Sequence, residues 1–181
     1  NVGLVVVPKA DQLFAFPDFR SAENALHMLR QVSGRSGRKK ERGQVIIQTF
    51  NPDHPVIQSL LSGDDQGFYR QEMEERKVFR YPPYYRLVKV TFRNKNRNKN
   101  SQVAYELFNF MRPAFGDLVS VPVEPLVSYV NHYFILDVFI KLNRSRKQGD
   151  YFRSQMDHFI QEVKGRPGYS NFRIIVDVDP A

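Results

Sequence analysis

The chain has no cysteine in its 181 residues. That excludes disulfides and thiolate zinc sites within these residues and fits a reducing compartment. Histidine is nearly as sparse: four residues, at 27, 54, 132 and 158, stand without ligand spacing, so no metal site is read. No apolar run approaches the length that spans a bilayer, and Asn1 opens directly into Val2-Gly3-Leu4-Val5-Val6-Val7 with no charged leader. The expectation is a soluble protein with no membrane partner. It also reads as cut from something longer, because the chain starts inside a buried-strand pattern without its own Met. A Gly-x-x-x-x-Gly-Lys-Ser/Thr loop, an acidic metal-binding motif and any nucleophile–base arrangement are missing too. A complete stand-alone enzyme is therefore the poorest reading.

Acidic residues are outnumbered. Nineteen Asp and Glu face 27 Lys and Arg, a formal net charge of +8 with a pI near 9.8. Such a balance favours a polyanionic partner, although charge alone does not choose between nucleic acid and an anionic membrane. The apolar fraction of 41% is ordinary for a globular core and argues against disorder throughout.

What is present centres on Gln31-Val32-Ser33-Gly34-Arg35-Ser36-Gly37-Arg38, two glycines and two arginines three apart. Arginine carries a permanent charge on a planar fork that matches phosphate oxygens, and each glycine lets backbone approach where a side chain would block it. The plainer alternative is a solvated basic turn ending a helix. Before the motif, Val2 to Val7 reads as a strand covered on both faces, and Ala22, Ala25, Leu26, Leu29 and Val32 repeat at helical spacing behind Ser21 as N-cap. After it, Val45-Ile46-Ile47 is a second buried strand. Together they make about half of an α/β lobe.

From 55 to 85 the pattern is helical. Pro55 starts one helix with Val56, Ile57, Leu60 and Leu61 as its stripe. A second carries Phe68, Tyr69, Met73 and Arg76, with Glu72, Glu74 and Glu75 on its wet face. Tyr81-Pro82-Pro83 stops it. Beyond, alternation replaces continuous runs: Val88, Val90 and Phe92; then Val119, Val121 and Val123, where Pro122 and Pro125 argue for an edge strand or a bend; then Phe134 to Leu142; finally Phe172 to Val178. Helix stripes intervene at Val103 to Met111, ended by Pro113, and at Phe152 to Val163. The order is β-α-β-β-α-β, a split ferredoxin-like arrangement with both helices on one face of an antiparallel sheet.

Taken with Gly43-Gln44-Val45-Ile46-Ile47-Gln48-Thr49 and Asn51-Pro52-Asp53-His54-Pro55, residues 31–38 resemble motif VI in the C-terminal part of the PriA family. These are the bacterial primosomal replication-restart helicases of superfamily 2. Pro17-Asp18-Phe19-Arg20, the series Phe68, Glu72, Arg76 and Tyr81-Pro82-Pro83, and the ending Asp177-Val178-Asp179-Pro180 stand in the family's order, so the resemblance covers nearly the whole chain. It implies α/β plus α+β architecture: 1–54 as the C-terminal part of a RecA-like helicase lobe, 55–85 as a helical connector, and 86–181 as a C-terminal domain for DNA and partners.

The resemblance also implies roles. Gln31, Arg35 and Arg38 would be the polar members of motif VI facing ATP, the arginines acting as fingers on the transferred phosphoryl group; Gly34 and Gly37 would hold the loop close. Asp11 stands where motif V is expected. ATP and magnesium belong to the whole helicase, an ATP-dependent 3'-5' DNA helicase. With the phosphate loop and the family's cysteine-rich zinc segment absent here, this chain is expected to bind neither and to hydrolyse no ATP. The basic stretch Arg86, Lys89, Arg93, Lys95, Arg97 and Lys99, beside Tyr84, Tyr85 and Tyr133, is the DNA candidate. The cluster Lys141, Arg144, Arg146 and Lys147 is the candidate for the acidic tail of the single-strand-binding protein. Branched or single-stranded DNA, that protein and primosome proteins are the expected partners, in the bacterial cytoplasm. Two rivals stand beside this reading: a protein-interaction module that meets acidic tails without DNA, and an RNA- or ribosome-associated basic domain.

Overall fold

In the computed structural model, which describes residues 3–34 and 43–180, contacts divide the chain into two units, Asn1–Arg76 and Lys77–Ala181. The first is built on a parallel pair. Strand β1 (Leu4–Val7) runs beside β2 (Gln44–Ile47) in the register Leu4 to Gln44 through Val7 to Ile47. Parallel strands need a crossover, which here includes α1 (Asp11–Phe14) and α2 (Ser21–Ser33).

Val7 and Ile47 pack against a cluster of Ala25, Leu26, Leu29, Val56, Ile57 and Phe68. The last three come from α3 (Pro55–Ser62) and α4 (Asp65–Val78), so the helical 55–85 stretch supplies half of the first unit's core. The two strands are not covered on both faces as their apolar runs led us to expect. Leu4, Val6 and Ile46 are about half exposed, because among the described residues the packing elements lie on the other side only. Leu61 is likewise exposed rather than part of the α3 stripe.

Helix α3 shows its signals plainly. His54 is the N-cap, its Nδ1 accepting from the Val56 N–H at 3.2 Å, with Pro55 at the first turn and Gly63 closing the helix at φ 76°. On α4, Glu72 departs from the expected wet face. It is largely buried beside Arg76, which reaches Glu23 of α2 at 2.7 Å and Glu72 at 3.7 Å, with its guanidinium 5.2 Å from the Phe19 ring centre. Burial pushes the Glu72 carboxyl up, and Arg76 opposes that shift. The family-order series Phe19, Glu72 and Arg76 is thus one packed network.

The second unit has the expected β-α-β-β-α-β order. Strands β3 (Tyr85–Asn94), β4 (Tyr129–Val130), β5 (Tyr133–Asn143) and β6 (Arg173–Val178) form an antiparallel sheet in the order β4-β5-β3-β6. Helices α5 (Arg97–Phe115) and α6 (Arg146–Gly165) bury Leu107, Met111, Phe152, Met156, Phe159 and Val163 against Val88, Val90, Phe92, Val138 and Ile140. Two local expectations change. Pro113 does not end α5: the helix runs on to Phe115, whose buried ring anchors the last turn, where proline removes only a single hydrogen bond. The segment around Val121 is also less than a strand. It meets β5 at the isolated bridges of Val119 with Ile140 and Val123 with Asp137 and through Ser120, whose N–H donates to the Phe139 carbonyl at 2.8 Å, while Pro122, which has no N–H to give, turns inward and leaves Val121 and Val123 exposed.

Candidate nucleic-acid interface

Of the motif at 31–38, Gln31 is an exposed residue on the last turn of α2, and Gly34 caps that helix with its N–H on the Arg30 carbonyl at 2.8 Å. Arg35, Gly37 and Arg38 lie outside the described residues. Asp11, at the start of α1, accepts from Thr49 Oγ1 at 2.8 Å and from the Phe50 N–H at 3.0 Å. These donors, Thr49 first, hold its carboxyl below the ordinary aspartate range. Together with the Ala10 N–H on the Gln48 carbonyl at 2.9 Å, Asp11 stitches the exits of β1 and β2. These bonds make Asp11 a joint between the two strand exits.

The basic stretch 86–99 is contiguous in sequence and dispersed in space. Arg86 grips Asp179 with Nε and Nη2, both at 3.0 Å, while the other Asp179 oxygen accepts from the Leu87 N–H at 3.0 Å. The Asp-Val-Asp-Pro ending therefore closes the β3–β6 ladder. Arg97 pairs with Glu124 at 2.7 Å. Lys89 and Arg93 alternate with the core residues of β3 and so lie on the sheet face away from the helices, Lys89 opposite Asp177 and Arg93 opposite Arg173.

Lys95 and Lys99 line a groove of about 860 Å³ at the end of the sheet, joined there by Lys164 from α6, Arg173 from β6 and Tyr133 from β5. No carboxylate lines it among the described residues. Instead, aromatic rings seat the cations. The Arg173 guanidinium lies 4.8 Å and the Lys95 ammonium 5.8 Å from the Tyr133 ring centre, and the Lys99 ammonium 4.9 Å from that of Tyr169. Arg173, Lys164 and Tyr169 were missed in the sequence because each comes from a different part of the chain; the trace they leave is an arginine opening the last strand.

The second cluster also divides. Lys141 donates to the Phe79 carbonyl at 2.6 Å with its ammonium 3.8 Å from the Tyr81 ring centre. Burial, then the nearby Arg80, push its pKa down against Asp117. Arg144 donates to the Pro83 carbonyl at 3.0 Å. Both cations brace the turn that precedes β3. Lys147 is exposed, and Arg146 approaches Asp150 at 3.7 Å. Arg144 and Arg146, with Arg86 and Arg153 and the carboxylates of Asp150 and Asp157, line a groove of about 330 Å³ that also holds Leu142, Met156, Ile160, Val176 and Val178.

No family model matches the chain. Curated relatives do. Replication restart protein PriA of Bacillus subtilis is 32% identical over 182 residues, 99% of this chain and 22% of the relative. The protein of that name from Treponema pallidum is 34% identical over 159 residues, covering 86% of this chain and 24% of its own length. That of Synechocystis is 51% identical over 88 residues, 49% of this chain and 11% of the relative. The chain thus spans between a tenth and a quarter of the length of these relatives.

Proposed function

Because the chain belongs to the PriA family of replication restart proteins, matching members across both of its units, we propose that it serves replication restart by binding branched or single-stranded DNA at stalled forks. It does so as part of an ATP-dependent DNA helicase that helps reload the replisome with primosome proteins, in the bacterial cytoplasm. The match over 99% of the chain carries this reading, and the carboxylate-free basic groove supports it.

In the whole helicase, Arg35 and Arg38 act on the phosphoryl group undergoing transfer, with Gln31, Gly34 and Gly37 shaping their loop. ATP and magnesium are held by residues outside these 181, since neither a phosphate loop nor an acidic metal motif occurs in the sequence. Alone, the chain is expected to release no phosphate above buffer in a DNA-stimulated assay; turnover above buffer overturns that part. DNA binding is tested with a labelled forked duplex across a salt series. Affinity should fall by roughly one log unit per log unit of salt for each phosphate neutralised. A flat salt response, or no binding at low salt, overturns it.

The smaller groove favours a second contact. Four arginines over an apolar floor, with Asp150 and Asp157 sharing the lining and Asp150 approached by Arg146 and Arg153, leave the groove net positive and suit an acidic peptide, the character expected of the single-strand-binding protein tail. A tail peptide should bind without DNA and lose at least tenfold in affinity with Arg146→Glu; binding that survives this change excludes the groove.

A further inference from the structure

At the groove end of the sheet, the β3–β6 ladder sets Arg93 directly opposite Arg173. Like charges facing each other across a rung oppose pairing of the strands. No carboxylate pairs with this rung among the described residues: neither arginine has an ion pair there, the buried Arg93 Nε has no hydrogen-bond partner, and Arg173 lies over the Tyr133 ring. Lys95, Lys99 and Lys164 converge on the same end, again without a carboxylate. Cations seated on rings keep their full charge and most of their N–H donors. Several cations with spare donors and no carboxylate in the groove lining suit an external anion.

We infer that this end of the sheet holds the phosphates of an unpaired nucleic-acid strand, with Arg173 on one phosphodiester, Lys95 and Lys99 on its neighbours, and a base packed at Tyr133. The inference rests on the DNA reading above and adds the place and the strand form. The groove, at about 860 Å³, exceeds what a lone phosphate fills. Its aromatic side favours single strands, since only an unpaired base offers a face to stack on Tyr133 or on the guanidinium against it. A duplex would present phosphates alone.

The test uses the whole chain, a labelled oligothymidine of about twelve nucleotides and a blunt duplex of equal length, with anisotropy read across a salt series. Arg173→Glu should weaken single-strand binding at least tenfold and lower the salt slope by about one unit. Because this change converts a repelling rung into an attracting one, the melting temperature should hold or rise while affinity falls. Tyr133→Ala should cost the single strand roughly fivefold or more and leave the duplex unchanged. If the wild-type chain binds DNA but Arg173→Glu and Arg173→Gln bind as tightly, the site is wrong while the DNA reading stands. Equal loss for both strand forms with Tyr133→Ala refutes the single-strand assignment. Affinity lost only in proportion to lost folding overturns the inference, and so does loss of an acidic peptide with DNA retained. No binding of any DNA at low salt removes both readings together.

Discussion

His54 works as an acceptor. Its Nδ1 takes the Val56 N–H, its ring stacks on Phe14 at 4.2 Å, and burial pushes its pKa below the ordinary 6.5, with Asp11 and Glu75 pulling the other way. A folded-state pKa that is depressed favours the neutral form in the native state. The stability contributed is present above the unfolded value and is lost as pH falls through the folded one. Thermal melts should therefore show the first unit weakening as pH drops below about 6.5. His54→Asn, which keeps a capping oxygen, should flatten that dependence; an unchanged pH profile in the variant contradicts it. Asp179 offers a second test at this scale. It closes a ladder with one carboxylate shared between the Arg86 guanidinium and the Leu87 N–H, so Asp179→Ala should lower stability by about 1–2 kcal/mol, read from denaturant midpoints. An effect near zero would mean that solvent already replaces these bonds.

Among elements, the decisive join in the first unit is Arg76 of α4 on Glu23 of α2. Arg76→Ala leaves two carboxylates close together and partly buried, and the expected cost is about 2–4 kcal/mol; Glu72→Gln should cost less, since burial already disfavours its charge. A loss below 1 kcal/mol for the arginine variant would place this pair with ordinary surface bridges. The same elements show what periodicity can and cannot carry. Strands β3 and β5 and helix α6 were legible because Val88, Val90 and Phe92, the residues Phe134 to Leu142, and the residues Phe152 to Val163 each keep one period, so that one face declares itself. Glu72 was not, because a carboxylate that turns inward to meet an arginine looks in sequence like any wet-face glutamate. The Val121 segment misled because alternating valines imply a ladder, whereas Pro122 could not donate to one. At the candidate site, Lys95 and Lys99 were legible as part of a charge run. Arg86 and Arg97 looked identical in that run, yet their acids, Asp179 and Glu124, lie far along the chain.

For the whole molecule, the chain combines two units, Asn1–Arg76 and Lys77–Ala181, each with its own apolar cluster. The family assignment spans both, and the carboxylate-free groove belongs to the second alone. A polyanion should therefore protect the units unequally in a melt followed by residue-level hydrogen exchange. Protection of β3 and β6 should grow, with that of α2 and α3 unchanged; equal gains in both units would point to diffuse charge screening. The facing arginines on β3 and β6 extend this to mass action. A ligand that binds only the folded ladder adds its binding free energy to folding, about 2.7 kcal/mol at a hundred times its dissociation constant. Strand pairing at that end of the sheet would then be set partly by how much nucleic acid surrounds the protein, making the last rung a gauge of its own occupancy.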